Sequence, residues 1–300
     1  MITKQQTTLL KGIAIFIVIV SHICYKNFDN YHYIGPISVW IFLILSGYGL
    51  TASADKNGLS KYYKRYVKII IPYWIFSIFK LIFVAIIFQQ TFSMKQLFSI
   101  MFFFDIGRDL DPTMWFVLFI LFWYTLFLIA RLLVKNRVLQ LIILLLGSVS
   151  IVFIDEYWLF YSIAFPVGVF LKREEHWLAP MKDKLLAKAS IKWGSLIALT
   201  VVCVFLYFTS NIPMASFMCF IGALLVIMVV QSFHVKSKFL LFLGTWSFFL
   251  YLIEGFPSYS FDLVGYFNPM IVGLLVYLAF TFIIGILLGK FSNKILKMLR

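Results

Sequence analysis

Few side chains in this sequence can do acid–base chemistry from within an apolar run, and His22 is the first of them. It closes the stretch 17–23, where every neighbour except Ser21 is aliphatic. A neutral imidazole can take a proton from a hydroxyl and later return it, because its pKa lies near working pH. The plainer alternative is a helix-end histidine hydrogen-bonded to a neighbour. Acids able to orient or polarise the ring are Asp29, the pair Asp109 and Asp111, and Glu254. A histidine–carboxylate dyad is the usual way to activate a hydroxyl. Asp111 also precedes Pro112-Thr113-Met114-Trp115, a helix start where capping and the helix dipole favour an acid without any chemistry.

A second group of residues suits phosphate. The run KYYKRYVKIIIPYW over 61–74 sets Lys61, Lys64, Arg65 and Lys68 ahead of an apolar segment. Clustered Lys and Arg at a helix entrance can hold phosphates, whether of an anionic lipid or of a phosphorylated cofactor. As structure, the same run reads as an ordinary basic anchor with aromatic neighbours. Ser46 lies in Leu45-Ser46-Gly47-Tyr48-Gly49, where small residues let a helix or a ligand approach closely. Lys80 falls inside an apolar run and is expected to snorkel along its own stem to the outer interface. Gly285 and Gly289 form a small-xxx-small pair that suits helix packing. Cys24, Cys203 and Cys219 have no metal-ligand spacing, and buried free thiols are the expected state; no metal is called for.

The elements that carry these residues follow from composition. Of 300 residues, 63% are hydrophobic and 13% charged, against about 45–50% and about 25% in soluble domains. A soluble fold cannot coat itself with so little polar surface, so a soluble enzyme, a disordered chain and a disulfide scaffold are excluded. The expected class is an all-α membrane protein. Apolar runs long enough to cross a bilayer are read at 9–25, 34–54, 67–89, 112–134, 138–154, 157–171, 190–209, 212–231, 239–254 and 270–290. The runs are continuous rather than alternating, which selects helices over barrel strands. Residues 98–104 are apolar but too short to span, and are expected to lie in the interface or re-enter. Residues 1–24 lack a small-x-small cleavage site and are expected to stay as the first span.

Ten spans put both termini on the same side. With that side cytoplasmic, only Lys26, Lys95 and Arg108 fall outside and Lys80 within a span, so 22 of the 26 Lys and Arg lie inside. That is the positive-inside pattern. The formal charge of +14 is then a record of orientation, and nucleic acid is not an expected partner. Residues 1–300 are expected to form one membrane-embedded domain with no separate soluble domain.

The order of short motifs resembles the integral-membrane acyltransferase 3 family in its stand-alone bacterial form. Lys11-Gly12-Ile13-Ala14 through His22 is similar to its R-G-x-A…H motif, with the same eleven-residue step. Phe42 through Tyr48 resembles F-F-x-x-S-G-[FY], and Lys64-Arg65 through Pro72-Tyr73-Trp74 resembles R-R-x-x-R-I-x-P-x-[YW]. Met114-Trp115-Phe116 with Tyr124, Phe165-Pro166-Val167-Gly168, and Leu243-Gly244 through Leu252 are similar to three further segments. The resemblance implies O-acylation, usually acetylation, of an extracytoplasmic glycan or lipid-linked sugar from cytoplasmic acetyl-CoA. It implies that His22 is catalytic; Asp111 and Glu254 stay the candidate acids from the residues themselves. Arg65, with Lys64 and Lys68, would bind the CoA phosphates, Lys11 would join the donor-binding set, and Ser46 and Tyr251 would line the route between. Lys11 stands where the family has Arg, Tyr66 replaces a second Arg, and Glu254 stands where many members have His. Acyl-CoA, the acceptor sugar and membrane lipid are the expected partners, and an oligomer is compatible with the chain. The rival readings are a transporter or flippase, with His22, Lys80 and Glu254 as a path, and a non-catalytic partner in polysaccharide assembly.

Overall fold

The computed structural model describes residues 2–28, 34–102, 110–153, 156–207, 212–233 and 235–299. Among them the chain is helical, with no strand. In chain order the helices are α1 (Lys4–Phe28), α2 (Ile34–Asn57), α3 (Tyr63–Ile87), α4 (Met94–Phe102), α5 (Trp115–Leu133), α6 (Arg137–Ser150), α7 (Glu156–Leu159), α8 (Ala164–Arg173), α9 (Glu175–Ala187), α10 (Ala189–Tyr207), α11 (Ile212–Ser232), α12 (Lys238–Tyr259) and α13 (Met270–Met298). They gather into two compact units. The first takes Met1–Val18, His32–Gly58 and Trp123–Thr245; the second takes Ile19–Tyr31, Leu59–Phe122 and Trp246–Arg300.

Seven helices among the described residues are long and apolar enough to cross a membrane: Lys4–Lys26, Ile34–Asn57, Tyr63–Ile87, Pro112–Leu133, Met214–Ser232, Lys238–Tyr259 and Met270–Met298. Their surface confirms the solvent. On α13 the buried face is Gly273, Tyr277, Thr281, Gly285, Gly289 and Ser292, while Ile271, Leu275, Ile283, Leu287 and Phe291 are exposed. Small and polar residues inward with aliphatic residues outward is the order expected where lipid replaces water. The protein is a multi-pass membrane protein.

The other expected spans differ. The span read at 138–154 is the 14-residue helix α6. The span read at 157–171 is broken: α7 stops at Leu159, and α8 starts only at Ala164. A broken helix frees carbonyls that lipid cannot satisfy. Here Ser216 Oγ donates to Phe160 O at 2.8 Å, and Ser148 Oγ donates to Ser162 O at 3.1 Å. Neighbouring helices thus supply hydroxyls to the gap, which hydropathy along one segment does not register. The span read at 190–209 is helical over Ala189–Tyr207.

Two of the motif glycines in the first unit mark where α2 and α8 touch. A methyl group on Gly168 would lie 2.1 Å from Ile44 O, and one on Gly47 would lie 2.3 Å from Phe165 O. The L-S-G and F-P-V-G segments are therefore two halves of one helix contact. Gly168→Ala is expected to cost about 1–3 kcal/mol through overpacking. The thermal unfolding midpoint in detergent reads this, and an unchanged midpoint would mean that α2 and α8 part easily. In the same unit Gly12 and Gly244 bring α1 against α12, with Leu240 O and Thr8 O at 2.0 and 1.8 Å from the added methyls. In the second unit Gly289 seats the Phe249 ring, so the small-xxx-small pair of α13 is a packing feature, as expected.

Pro72-Tyr73-Trp74 has a structural role within the second unit. Tyr73 OH donates to Ile100 O at 2.7 Å, and Trp74 Nε1 donates to Met101 O at 2.8 Å. These carbonyls lie in the last turn of α4, where a helix leaves its acceptors unsatisfied. The short apolar segment is thereby tied to α3 by its C-terminal end. Cys24 and Cys219 are free thiols.

Candidate active site

The site is built within the second unit from α1, α3, α12, α13 and the turn before α5. His22 comes from α1 and Glu254 from α12, 232 residues apart in sequence. His22 Nδ1 lies 2.9 Å from both Glu254 Oε1 and Oε2. The carboxylate is fully buried, whereas the imidazole keeps 27% of its side chain exposed. Tyr277 of α13 reaches Glu254 Oε2 at 3.4 Å. The Tyr259 ring packs edge-on against the imidazole at 5.6 Å between centroids.

This geometry assigns the tautomer. A carboxylate at Nδ1 holds the proton there, and the lone pair is then on Nε2. Among the described residues Nε2 carries no hydrogen bond. A partly exposed imidazole with an oriented nitrogen has the geometry that general-base chemistry requires. A carboxylate so placed favours the protonated over the neutral ring.

Beside the dyad lies a second buried pair. Lys80 Nζ is 2.5 Å from Asp111 Oδ2, with both side chains at most 1% exposed. Lys80 therefore does not snorkel to an interface, contrary to the sequence expectation. That argument treated α3 as alone in lipid; an acid delivered by another segment is a better partner than distant water. Asp111 Oδ1 accepts from Thr113 N at 3.0 Å and from Thr113 Oγ1 at 2.6 Å. The acid caps the turn Pro112–Met114, the role its position before Pro112 foretold. Tyr251 OH donates to Thr113 O at 2.5 Å. Gly255, next to Glu254, is needed for this approach, since a methyl there would lie 2.5 Å from Thr113 Oγ1 and 2.7 Å from Asp111 Oδ1.

Among the acids proposed for His22, the structure puts Glu254 on the ring and gives Asp111 to Lys80 and Thr113. Asp29 and Asp109 lie outside the described residues. Tyr251 belongs to the Thr113 network rather than to an open wall. Lys64 and Arg65 are half-buried and Lys68 is exposed at the start of α3. Among the described residues the Arg65 guanidinium carries no ion pair. Arg65 and Lys80 sit fifteen residues apart on one helix, about 22 Å along its axis. Lys11 and Ser46 belong to the first unit. Thr113 and Tyr277 were not singled out from sequence. The signal for Tyr277 was its place in the small and polar stripe of α13.

A family model described as an acyltransferase domain matches residues 7–290. The chain belongs to this acyltransferase family. Membership spans nearly every helix, and makes the protein a membrane acyltransferase. Among curated proteins and among solved structures, nothing matches the chain.

For this acyltransferase, Glu254→Gln keeps the size of the side chain and removes its charge. The amide can also turn its NH2 toward Nδ1 and so trap the wrong tautomer. The expected result is a kcat lower by about 10²–10⁴-fold with little change in donor KM. Equal losses in donor binding would point to a structural role instead.

Proposed function

We propose that this acyltransferase moves an acyl group, with acetyl as the first expectation, from acyl-CoA to a carbohydrate hydroxyl on the opposite side of the membrane. The observation that carries the reading is the His22–Glu254 dyad, with no hydrogen bond on Nε2 among the described residues and the ring partly exposed. The acceptor is a glycan or lipid-linked sugar outside, and both termini are cytoplasmic, as the charge bias implies.

Lys64, Arg65 and Lys68 hold the donor phosphates at the basic start of α3. The pantetheine arm carries the thioester toward His22. His22 Nε2 takes the proton of the sugar hydroxyl as the oxygen attacks the thioester carbonyl carbon. The C–S bond breaks, the imidazolium returns its proton to the leaving sulfur, and an ester and free CoA result. Glu254 holds the ring and its developing charge throughout. Asp111, itself held by Lys80, keeps the Thr113 turn in place, and Tyr251 holds the same turn from α12.

Proton NMR of surface polysaccharide from cells with and without the protein tests the reading. O-acetyl methyl signals, and the shifts of the sugar protons beside them, are expected only when it is present. Identical spectra from both cultures would remove the carbohydrate acceptor from the proposal.

A further inference from the structure

Within the first unit the ends of α2, α6 and α8 and the start of α9 enclose a cleft of about 640 Å³. Its wall includes Asp55, Lys56, Arg137, Lys172, Arg173 and Glu175. The acids are already engaged. Arg131 Nη2 donates to Asp55 Oδ1 at 2.5 Å. Glu175 takes Lys172 Nζ and the Tyr48 hydroxyl, and these hold its carboxyl below the usual range although burial acts the other way. Lys56 and Arg137 are exposed to the cleft, and among the described residues neither side chain has an ion pair or hydrogen bond.

The cations at the floor are fixed. Arg173 donates to Arg137 O and to Gln140 Oε1. Its Nε, like that of Arg131, is buried with no partner among the described residues. Burial, with the like charges of Arg131 and Arg137, pushes the Arg173 guanidinium down to about 10. It stays charged at neutral pH, in a cluster whose repulsion an anion would relieve. Rigid guanidinium forks matched to oxygen triads are the usual receptor for phosphate.

We propose that this cleft is a phosphate-binding site, in which Arg137 and Lys56 close on phosphate oxygens over a floor set by Arg173. Its volume accommodates phosphate groups and part of what carries them. Two ligands share that chemistry: the phosphates of acyl-CoA, which would then bind here in place of the start of α3, and the phosphodiester headgroup of an anionic lipid. Only the first rests on the acyl-donor reading above.

The test measures binding of coenzyme A and of dihexanoyl-phosphatidylglycerol to the purified full chain in neutral detergent. The variants are Lys56→Gln/Arg137→Gln, Arg137→Gln alone, and Lys290→Gln/Lys294→Gln as a charge-matched control in the second unit. Lys56 and Arg137 are exposed and unpaired among the described residues, so a monodisperse size-exclusion peak is expected for each variant. The double variant is expected to weaken one probe about tenfold and Arg137→Gln less, with the control unchanged and the loss shrinking at high salt. Loss for coenzyme A names the donor as the ligand. Loss for the lipid alone supports the site and assigns it to a headgroup. Wild-type protein that binds lipid but not coenzyme A counts against the acyl-donor reading and leaves the cleft standing. Unchanged affinity for both probes, equal losses in the control, or no binding of either probe to the wild type would overturn the proposal.

Discussion

Acyl transfer is expected to fall by about 10²–10⁴-fold when His22 is replaced by alanine, the range associated with losing a general base. The structure gives three reasons for so large an effect. Nδ1 is held by both oxygens of Glu254 at 2.9 Å, so the ring is fixed in one orientation. Its Nε2 is free among the described residues. Among the described residues the one other histidine, His176, is exposed in the first unit; His32 and His234 lie outside them. Folding should survive, because the side chain is 27% exposed and its loss leaves no sealed cavity. Transfer from labelled acetyl-CoA in membranes, normalised to inserted protein, reads the effect. Activity within about threefold of wild type, well under one decade of the range above, would take His22 out of the chemistry.

Replacing Lys80 with methionine should cost about 3–5 kcal/mol of stability. The substitution keeps the length of the side chain and strands Asp111 as an uncompensated buried charge. The carboxylate still accepts from Thr113 N and Oγ1, but these hydrogen bonds do not cancel a full charge. The second variant separates stability from function. Lys80→Met/Asp111→Leu removes both charges, and buried pairs replaced by apolar residues are often near neutral in stability. It should therefore unfold closer to wild type than the single variant, short of it by the hydrogen bonds that Thr113 loses. It should still transfer acyl groups poorly, because Thr113 has lost its cap and the turn that Tyr251 grips is no longer set. Denaturant midpoints in mixed micelles give the first quantity, and transfer assays the second. A single variant as stable as wild type would contradict a buried ion pair at Lys80.

The site was only partly legible in the sequence. His22 stood out because an ionisable group in an apolar run has few innocent explanations. Lys80 stood out for the same reason, but its partner did not. Asp111 lies 31 residues away across a change of helix, and nothing local announces that the two meet. Glu254 was one of several acids at helix ends, and only packing selected it. Thr113 carried no signal of its own, since a threonine after a proline is ordinary, and Tyr277 had only its place in the small and polar stripe of α13.

The sequence by itself determined the class of protein and the positions of its long helices. Transfer into lipid is decided residue by residue along a segment, so apolar content and the run of Lys and Arg can be read without knowing any neighbour. It also determined the motif glycines, though not what they touch. Only the tertiary structure decided which acid orients His22, that Lys80 is paired rather than snorkelled, and that the stretch 157–171 breaks. Each of these depends on groups from distant helices. A carboxylate is a partner, a cap or a cost according to what packs beside it. A broken helix survives in a membrane because Ser148 and Ser216 supply the hydrogen bonds that lipid cannot.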